Sequence, residues 1–277
     1  MTKPKPYNVQ IAGLNPLPAG SLLILASHRA DWRDERLASL TSDLLLGGST
    51  VIYIALGELP ENASERFQRL YEKRCELGAE NEAIEAYGHS APYLPQGASE
   101  ANRRDAKESW KRDRQKLIKD KYEGFKRLSV NFDCHYRSVA DPTIDRITKV
   151  IEEERRDLPL TDQVIIIDDL CSIRRSPGKS GSPKLCGEQA RALKDLAVHN
   201  KLLLVTAMPA PHNLKTVKLL NERREQEVEL QAGEFHSYGD ADESSDALVS
   251  TRYTWSNVGW ELHDYAVVAR YGEQAER

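Results

Sequence analysis

The chain has 277 residues, of which 40% are hydrophobic, so it is long and apolar enough to bury a sizeable core. Its net charge of −4 excludes a globally basic nucleic-acid-binding protein, and any such surface must be local. Four widely spaced cysteines without a C-x-x-C pair predict reduced thiols rather than a zinc site or a disulfide framework. No apolar run is long enough for a membrane span and none follows the N-terminus as a secretion signal would, so we expect a cytoplasmic protein.

Short apolar runs alternate with helical patterns along most of the chain. The runs are rich in Val, Ile and Leu, which is typical of strands covered on both faces. They occupy residues 21–27, 50–56, 163–168 and 201–206. Apolar residues at helical spacing occupy residues 33–46, 62–77, 141–156 and 188–200. This alternation predicts an α/β fold with a mainly parallel central sheet flanked by helices.

A densely charged segment interrupts this alternation. Residues 99–127 contain eleven Lys or Arg against six Asp or Glu, which predicts a long surface helix. A solvated helix with intrahelical ion pairs accounts for it better than a dedicated nucleic-acid patch does. The preceding residues 79–97 contain Gly, Pro and Ser and predict a loop. We therefore predict one domain over residues 1–277 with a charged helical insertion at about 79–130.

The C-terminal part predicts a helix followed by a hairpin. A polar helix is expected over residues 214–231 and a Gly- and Asp-rich loop over 233–245. Strand-like runs at 247–255 and 263–271 flank a turn at 257–259. Their spacing predicts an antiparallel hairpin at the edge of the sheet.

The turn after the first strand is where a parallel α/β sheet usually binds its ligand. A phosphate-binding loop needs glycines for close backbone approach, a lysine for the outer phosphates and a Ser or Thr for magnesium. Residues 26–36 contain no glycine, and Trp32 and Asp34 stand where glycine and a hydroxyl would be needed. Arg33 could replace the lysine, but a cation alone does not rebuild the cradle. The segment therefore predicts a plain strand-to-helix turn.

Two further carboxylates follow predicted strands. Asp168 ends the third strand, where an acidic residue either orients magnesium or caps a turn. Glu58 lies just past the second strand, at the position of a general base, although a surface carboxylate in a loop is the commoner case. Both interpretations of each residue stay open.

A basic loop follows the third strand. Its cations are Arg174, Arg175, Lys179 and Lys184. The Gly-Lys-Ser at 178–180 within it is not followed directly by a helix and lacks the earlier glycine of a phosphate loop. Because basic flexible loops can embrace a nucleic-acid backbone, these four residues are candidate DNA-binding residues.

The order of these elements resembles the C-terminal, RecA-like motor domain of DnaB-type replicative helicases. The run at 51–60 resembles the strand that ends in that family's catalytic glutamate, and 164–170 resembles its magnesium strand. The basic loop falls where the family contacts single-stranded DNA, and Arg270 in the run 266–271 falls at its arginine finger. The resemblance thus implies Glu58 as base, Asp168 as magnesium ligand and Arg270 acting on a neighbouring subunit.

The chain also departs from that family. Trp32-Arg33-Asp34 replaces the Gly-Lys-Thr of the phosphate loop, and Met208-Pro209-Ala210 replaces the sensor glutamine. The glutamate is displaced by one residue, and we expect no N-terminal collar domain because the first strand begins near residue 21. These departures predict a RecA-like P-loop NTPase-type fold without a working phosphate loop.

Three functions follow from this pattern. The first, which we favour, is a catalytically inactive scaffold that binds DNA, a helicase or another replication protein, or copies of itself, in replication or in plasmid or phage maintenance. It predicts no cofactor, no membrane partner and no enzymatic activity. The second is an ATPase motor with a non-standard site that uses ATP and magnesium. The third is a sequence-independent single-stranded DNA-binding module.

Overall fold

The computed structural model describes residues 16–27, 30–91, 99–128, 132–158, 163–179, 181–210, 235–256 and 259–269. The chain divides into two compact units. The first unit comprises residues 1–65 and 133–277, and the second comprises residues 66–132. The second unit includes most of the segment predicted as a charged insertion.

A seven-stranded sheet forms the centre of the first unit. Its strands are β1 (Leu22–Ser27), β2 (Thr50–Leu56), β3 (Cys134–Val139), β4 (Gln163–Asp168), β5 (Leu203–Pro209), β6 (Ala247–Ser256) and β7 (Gly259–Ala269). Their order across the sheet is β3-β2-β4-β5-β1-β6-β7. All neighbours are parallel except β6 and β7, which pair antiparallel at the edge. The structure thus confirms the predicted α/β fold with its C-terminal edge hairpin.

Helices connect these strands. The first unit contains α1 (Ala30–Leu46), the start of α2 (Pro60–Tyr87), α4 (Ile144–Asp157), α5 (Cys186–Asn200) and the one-turn α6 (Ala241–Ser244), and α3 (Glu100–Leu128) lies in the second unit. The predicted face of α1, Leu37, Leu40, Leu44 and Leu45, is buried as its spacing requires. The predicted polar helix at 214–231 lies outside the described residues.

Helix α4 begins later than its sequence pattern predicts. Thr143, not Asp141, is its N-cap, because the Thr143 hydroxyl accepts a hydrogen bond from the Arg146 amide at 3.4 Å. Behind this cap, Ile147 and Ile151 pack one turn apart in the core of the first unit. Asp141 is thereby left outside the helix.

Strand β3 is absent from the sequence-based prediction. It lies at the edge of the sheet and pairs only with β2, and most of its residues are partly exposed. An edge strand covered on fewer sides needs no continuous apolar run, and CHYRSV has none. The pattern that identifies the central strands therefore does not reveal it.

Helices α2 and α3 form an antiparallel pair within the second unit. The Tyr71 hydroxyl donates to the Phe125 carbonyl at 2.8 Å, and the Trp110 indole N–H donates to the Tyr87 carbonyl at 2.9 Å. The structure confirms the long charged helix, since none of the residues of α3 is buried. The loop predicted at 79–97 is wrong for residues 79–87, which continue α2 because Ala79 and Ala83 extend its buried stripe. No helix in the described part of the chain is both long enough and apolar enough to cross a membrane.

Candidate functional site

Parallel strands bring several predicted site residues to one edge of the sheet. β1 leads into α1, which carries Arg33, and β4 ends at Asp168. Glu58 follows β2, which pairs with β4 so that Ala55 lies opposite Asp168. In α/β folds this carboxyl edge is the usual place for a ligand.

Arg33 faces a carboxylate. Its guanidinium Nη2 lies 3.7 Å from Oδ2 of Asp169, and the two side chains are only 14% and 20% exposed. Burial raises the pKa of Asp169, and the positive charge of Arg33 opposes that rise. The other carboxylate oxygen of Asp169 accepts a hydrogen bond from the Cys171 amide at 2.9 Å. Arg33 thus compensates a largely buried carboxylate that also caps a short helix.

Asp168 is held by an aromatic residue that the sequence reasoning missed. The Tyr53 hydroxyl, from the buried side of β2, donates to Oδ2 of Asp168 at 3.0 Å. The ring of Tyr53 lies 5.6 Å from that of Tyr136 on β3. Tyr53 stands within an apolar run, and only the register of β2 against β4 brings its hydroxyl to this carboxylate.

Glu58 is fixed by the edge strand. Its backbone carbonyl accepts a hydrogen bond from the Ser138 hydroxyl at the end of β3. The adjacent Gly57 takes a positive φ of 76° and donates to the Val139 carbonyl at 3.1 Å. The turn that carries Glu58 is therefore well defined, and its half-buried side chain lies at the same end of β2 as Asp168.

The end of β5 is apolar where the resemblance implies a polar sensor. β5 continues three residues beyond the predicted run, to Pro209. Met208 and Ala210 are fully buried, and the Ala210 amide donates to the Ser27 carbonyl at 2.8 Å. A hydrophobic side chain in this position contributes to the core and offers no hydrogen bond to a phosphate.

The described residues do not fit a nucleotide with magnesium. A triphosphate site needs backbone amides, cations and a hydroxyl around the phosphates. Here the segment 26–36 has no glycine, Arg33 is already paired with Asp169, and Asp168 lies next to it in sequence. A second anion would meet two carboxylates and one neutralised cation, which is electrostatically unfavourable.

The basic loop is organised by Asp141. Its Oδ1 accepts from Arg174 Nη1 at 2.8 Å and from the Gly178 amide at 3.3 Å. Its Oδ2 lies 3.1 Å from Arg146 Nη1. These donors lower the pKa of Asp141, with the Gly178 amide as the largest cause. The sequence assigned Asp141 to a helix start, and its Asp-Pro context gave no sign of this anchoring role.

The four predicted DNA-binding cations differ in their surroundings. Arg174 is paired with Asp141, and Arg175 makes a two-pronged contact with Glu188 at 3.0 Å to each oxygen. Lys179 and Lys184 are exposed. Arg270, the predicted arginine finger, lies outside the described residues.

A cleft of about 200 Å³ adjoins this loop. Thr143 at the start of α4 lines it, together with Arg174, Arg175 and Gln189. Gln189 is only 4% exposed, and its amide nitrogen donates to the Ile173 carbonyl at 3.2 Å. Its carbonyl oxygen Oε1 is buried without a hydrogen-bond partner among the described residues. The cleft thus presents cations at its mouth and an unsatisfied acceptor inside.

Comparisons with known proteins place the fold. No family model and no curated protein matches the sequence. Among solved structures, an isolated ATPase domain matches with a TM-score of 0.59 and 12% identity, over 91% of this chain and 78% of that one. A DnaB-like replicative helicase, whose structure and interactions with primase have been described, matches with a TM-score of 0.55 and 10% identity. That match covers 91% of this chain and 55% of the helicase chain, so this chain spans about half of it. The RecA-like, DnaB-like fold predicted from the sequence is confirmed.

Proposed function

We propose that this chain is a RecA-like domain of a replication or genome-maintenance system that does not hydrolyse ATP and that binds single-stranded DNA through its basic loop. The observation that carries the first half is the contact between Arg33 and Asp169. The one cation of the vestigial site that the sequence offered for phosphate binding is used inside the protein. The buried apolar end of β5 supports the same conclusion.

The basic loop supports the DNA-binding half. Residues 170–187 contain four cations and no acidic residue. One carboxylate, Asp141, serves both Arg146 and Arg174, so the surroundings of the loop do not cancel its positive charge. The pair between Arg175 and Glu188 is highly exposed, at 66% and 58%, and such pairs are weak and easily exchanged for phosphate contacts.

The cleft beside the loop favours a nucleotide unit over a protein side chain as the occupant. A phosphate can meet Arg174 or Arg175 at the mouth, while an amino or imino group of a base can donate to Oε1 of Gln189. We therefore expect Gln189→Leu to weaken single-stranded DNA binding without changing its dependence on salt. A helicase, another replication protein and further copies of this chain stay predicted partners.

Calorimetry tests the absence of ATP binding. Titration of the full chain with ATP and magnesium should give no binding at micromolar nucleotide. Asp169→Asn, which removes the charge that neutralises Arg33, is the variant most able to gain weak binding. Tight, magnesium-dependent binding by the unaltered chain, abolished in Asp168→Asn, would show that the chain is a motor with a non-standard site.

Fluorescence anisotropy with labelled single-stranded DNA tests the second half. Binding should weaken steeply as the salt concentration rises, since phosphate contacts release counterions. Absence of binding at low salt would contradict the DNA-binding proposal and leave protein partners as the function of the scaffold.

A further inference from the structure

Two cysteines flank the basic loop and meet at its base. Cys171 lies in the short helix that follows Asp169, and Cys186 is the first residue of α5. Their sulfur atoms are 2.6 Å apart. In a disulfide the two sulfurs are about 2.05 Å apart, so only a small approach separates this pair from a bond. The other two cysteines, Cys75 and Cys134, belong to different elements of the fold.

The backbone around the pair keeps the two sulfurs in place. A side chain at Gly181 would have its Cβ 2.4 Å from the Cys171 carbonyl oxygen, so the loop folds back directly onto Cys171. A Cβ at Gly187 would lie 1.6 Å from the Gly239 carbonyl oxygen. Only glycine allows these approaches, and both bring main chain tightly against the residues that carry the thiols. Cys186 is fully buried and Cys171 is partly exposed, so an oxidant reaches the pair through Cys171.

We propose that Cys171 and Cys186 form a reversible disulfide that closes the basic loop into a covalent ring. With a peroxide as oxidant, the Cys171 sulfur first takes one peroxide oxygen and becomes a sulfenic acid, and the rest of the peroxide leaves as water or an alcohol. The Cys186 sulfur then attacks the Cys171 sulfur, the S–O bond breaks, and the hydroxyl leaves as water with the proton from Cys186. The two thiols lose two electrons and the peroxide gains them. A dithiol reverses the bond by thiol–disulfide exchange.

This site goes beyond DNA binding and does not depend on it. The ring would contain residues 172–185 and therefore all four cations of the basic loop. The pKa of Cys171 is raised by its hydrogen bond to Cys186 and by burial, so this thiol is protonated at neutral pH. Because the thiolate is the reactive form, we expect the bond to form faster as the pH rises.

Peptide mapping of the full chain tests the bond. The protein is treated with hydrogen peroxide, its remaining thiols are blocked with a maleimide under denaturing conditions, and it is digested with trypsin without reductant. We expect the maleimide-reactive thiols to fall from four to two. We also expect peptides 157–174 and 185–191 to appear linked, with their summed mass less two hydrogens, and to separate on reduction.

Matched variants make the outcome specific. Cys171→Ser should leave Cys186 as a free thiol and abolish the link, whereas Cys75→Ser and Cys134→Ser should keep it. Since the unaltered chain provides the main readout, a variant that fails to fold does not decide the matter. Conversion of Cys171 to sulfinic or sulfonic acid without any link to Cys186, or links that involve Cys75 or Cys134 instead, would overturn the proposal. None of these readouts uses DNA, so their failure is distinguishable from failure of DNA binding.

Discussion

Replacing Lys179 and Lys184 together by alanine separates two ways in which the basic loop could bind DNA. Both lysines are exposed, whereas Arg174 and Arg175 already contact carboxylates. If all four cations reach phosphates, the double variant keeps half of the binding charge. If only the lysines do so, it loses all of it.

The salt dependence gives the magnitude. For single strands, the slope of log affinity against log salt is about −0.7 for each phosphate neutralised. Four contacts therefore predict a slope of about −2.8 and an affinity loss of about 50-fold between about 50 and 200 mM salt. Two contacts predict about −1.4 and a loss of about 7-fold. We expect the unaltered chain near the first value and the double variant near the second, because the exposed pair of Arg175 with Glu188 opens readily.

Fluorescence anisotropy over this range of salt concentrations provides the measurement. Lys107→Ala with Lys119→Ala on α3 is the charge-matched control and should leave the slope unchanged, since α3 is predicted to be a solvated helix. Glu188→Gln, which frees Arg175, should strengthen binding modestly. A slope unaffected by the loop variant but reduced by the α3 variant would refute the reasoning and assign DNA binding to the charged helix.

Three other predictions concern stability. Asp246→Ala should lower the free energy of unfolding by about 3 kcal/mol, because Asp246 accepts from the Leu22 amide and from Lys194 and is only 15% exposed; urea unfolding should show a smaller loss for Asp246→Asn, which keeps an acceptor for the amide. Gly187→Ala should destabilise by at least about 3 kcal/mol, measured as a lower Tm, because its Cβ would meet a carbonyl oxygen at 1.6 Å. Gly124→Ala in α3 meets no atom and should instead stabilise slightly, so equal effects of the two glycine changes would contradict the packing argument. The lowered pKa of Asp141 means that its stabilising contribution is complete above the unfolded value near 3.8 and is lost as the pH falls through the folded pKa. Asp141→Asn should therefore be less stable than the unaltered chain at neutral pH and equally stable in the most acid samples, and a difference that persists there would assign the effect to something other than charge.

Several elements could be predicted because their own residues specify them. The central strands β1, β2 and β4 are continuous apolar runs, and α1 carries leucines at helical spacing, so burial dictates both. The long charged helix α3 follows equally from composition. The edge strand β3 and residues 79–87 of α2 could not be predicted in this way. The strand is partly exposed, and the helical residues are mostly polar, so that their two alanines reveal a buried stripe only once α2 is continuous.

The sequence by itself determined the class of fold and the loss of the glycine-rich cradle, since both depend on residues close together along the chain. Only the tertiary structure decided how the remaining site residues are used. The pairing of Arg33 with Asp169, of Tyr53 with Asp168, and of Cys171 with Cys186 joins residues from different elements. Asp141 likewise anchors a loop more than thirty residues away along the chain. These contacts depend on strand register and on helix packing, which bring distant residues within a few ångströms and which no local pattern encodes.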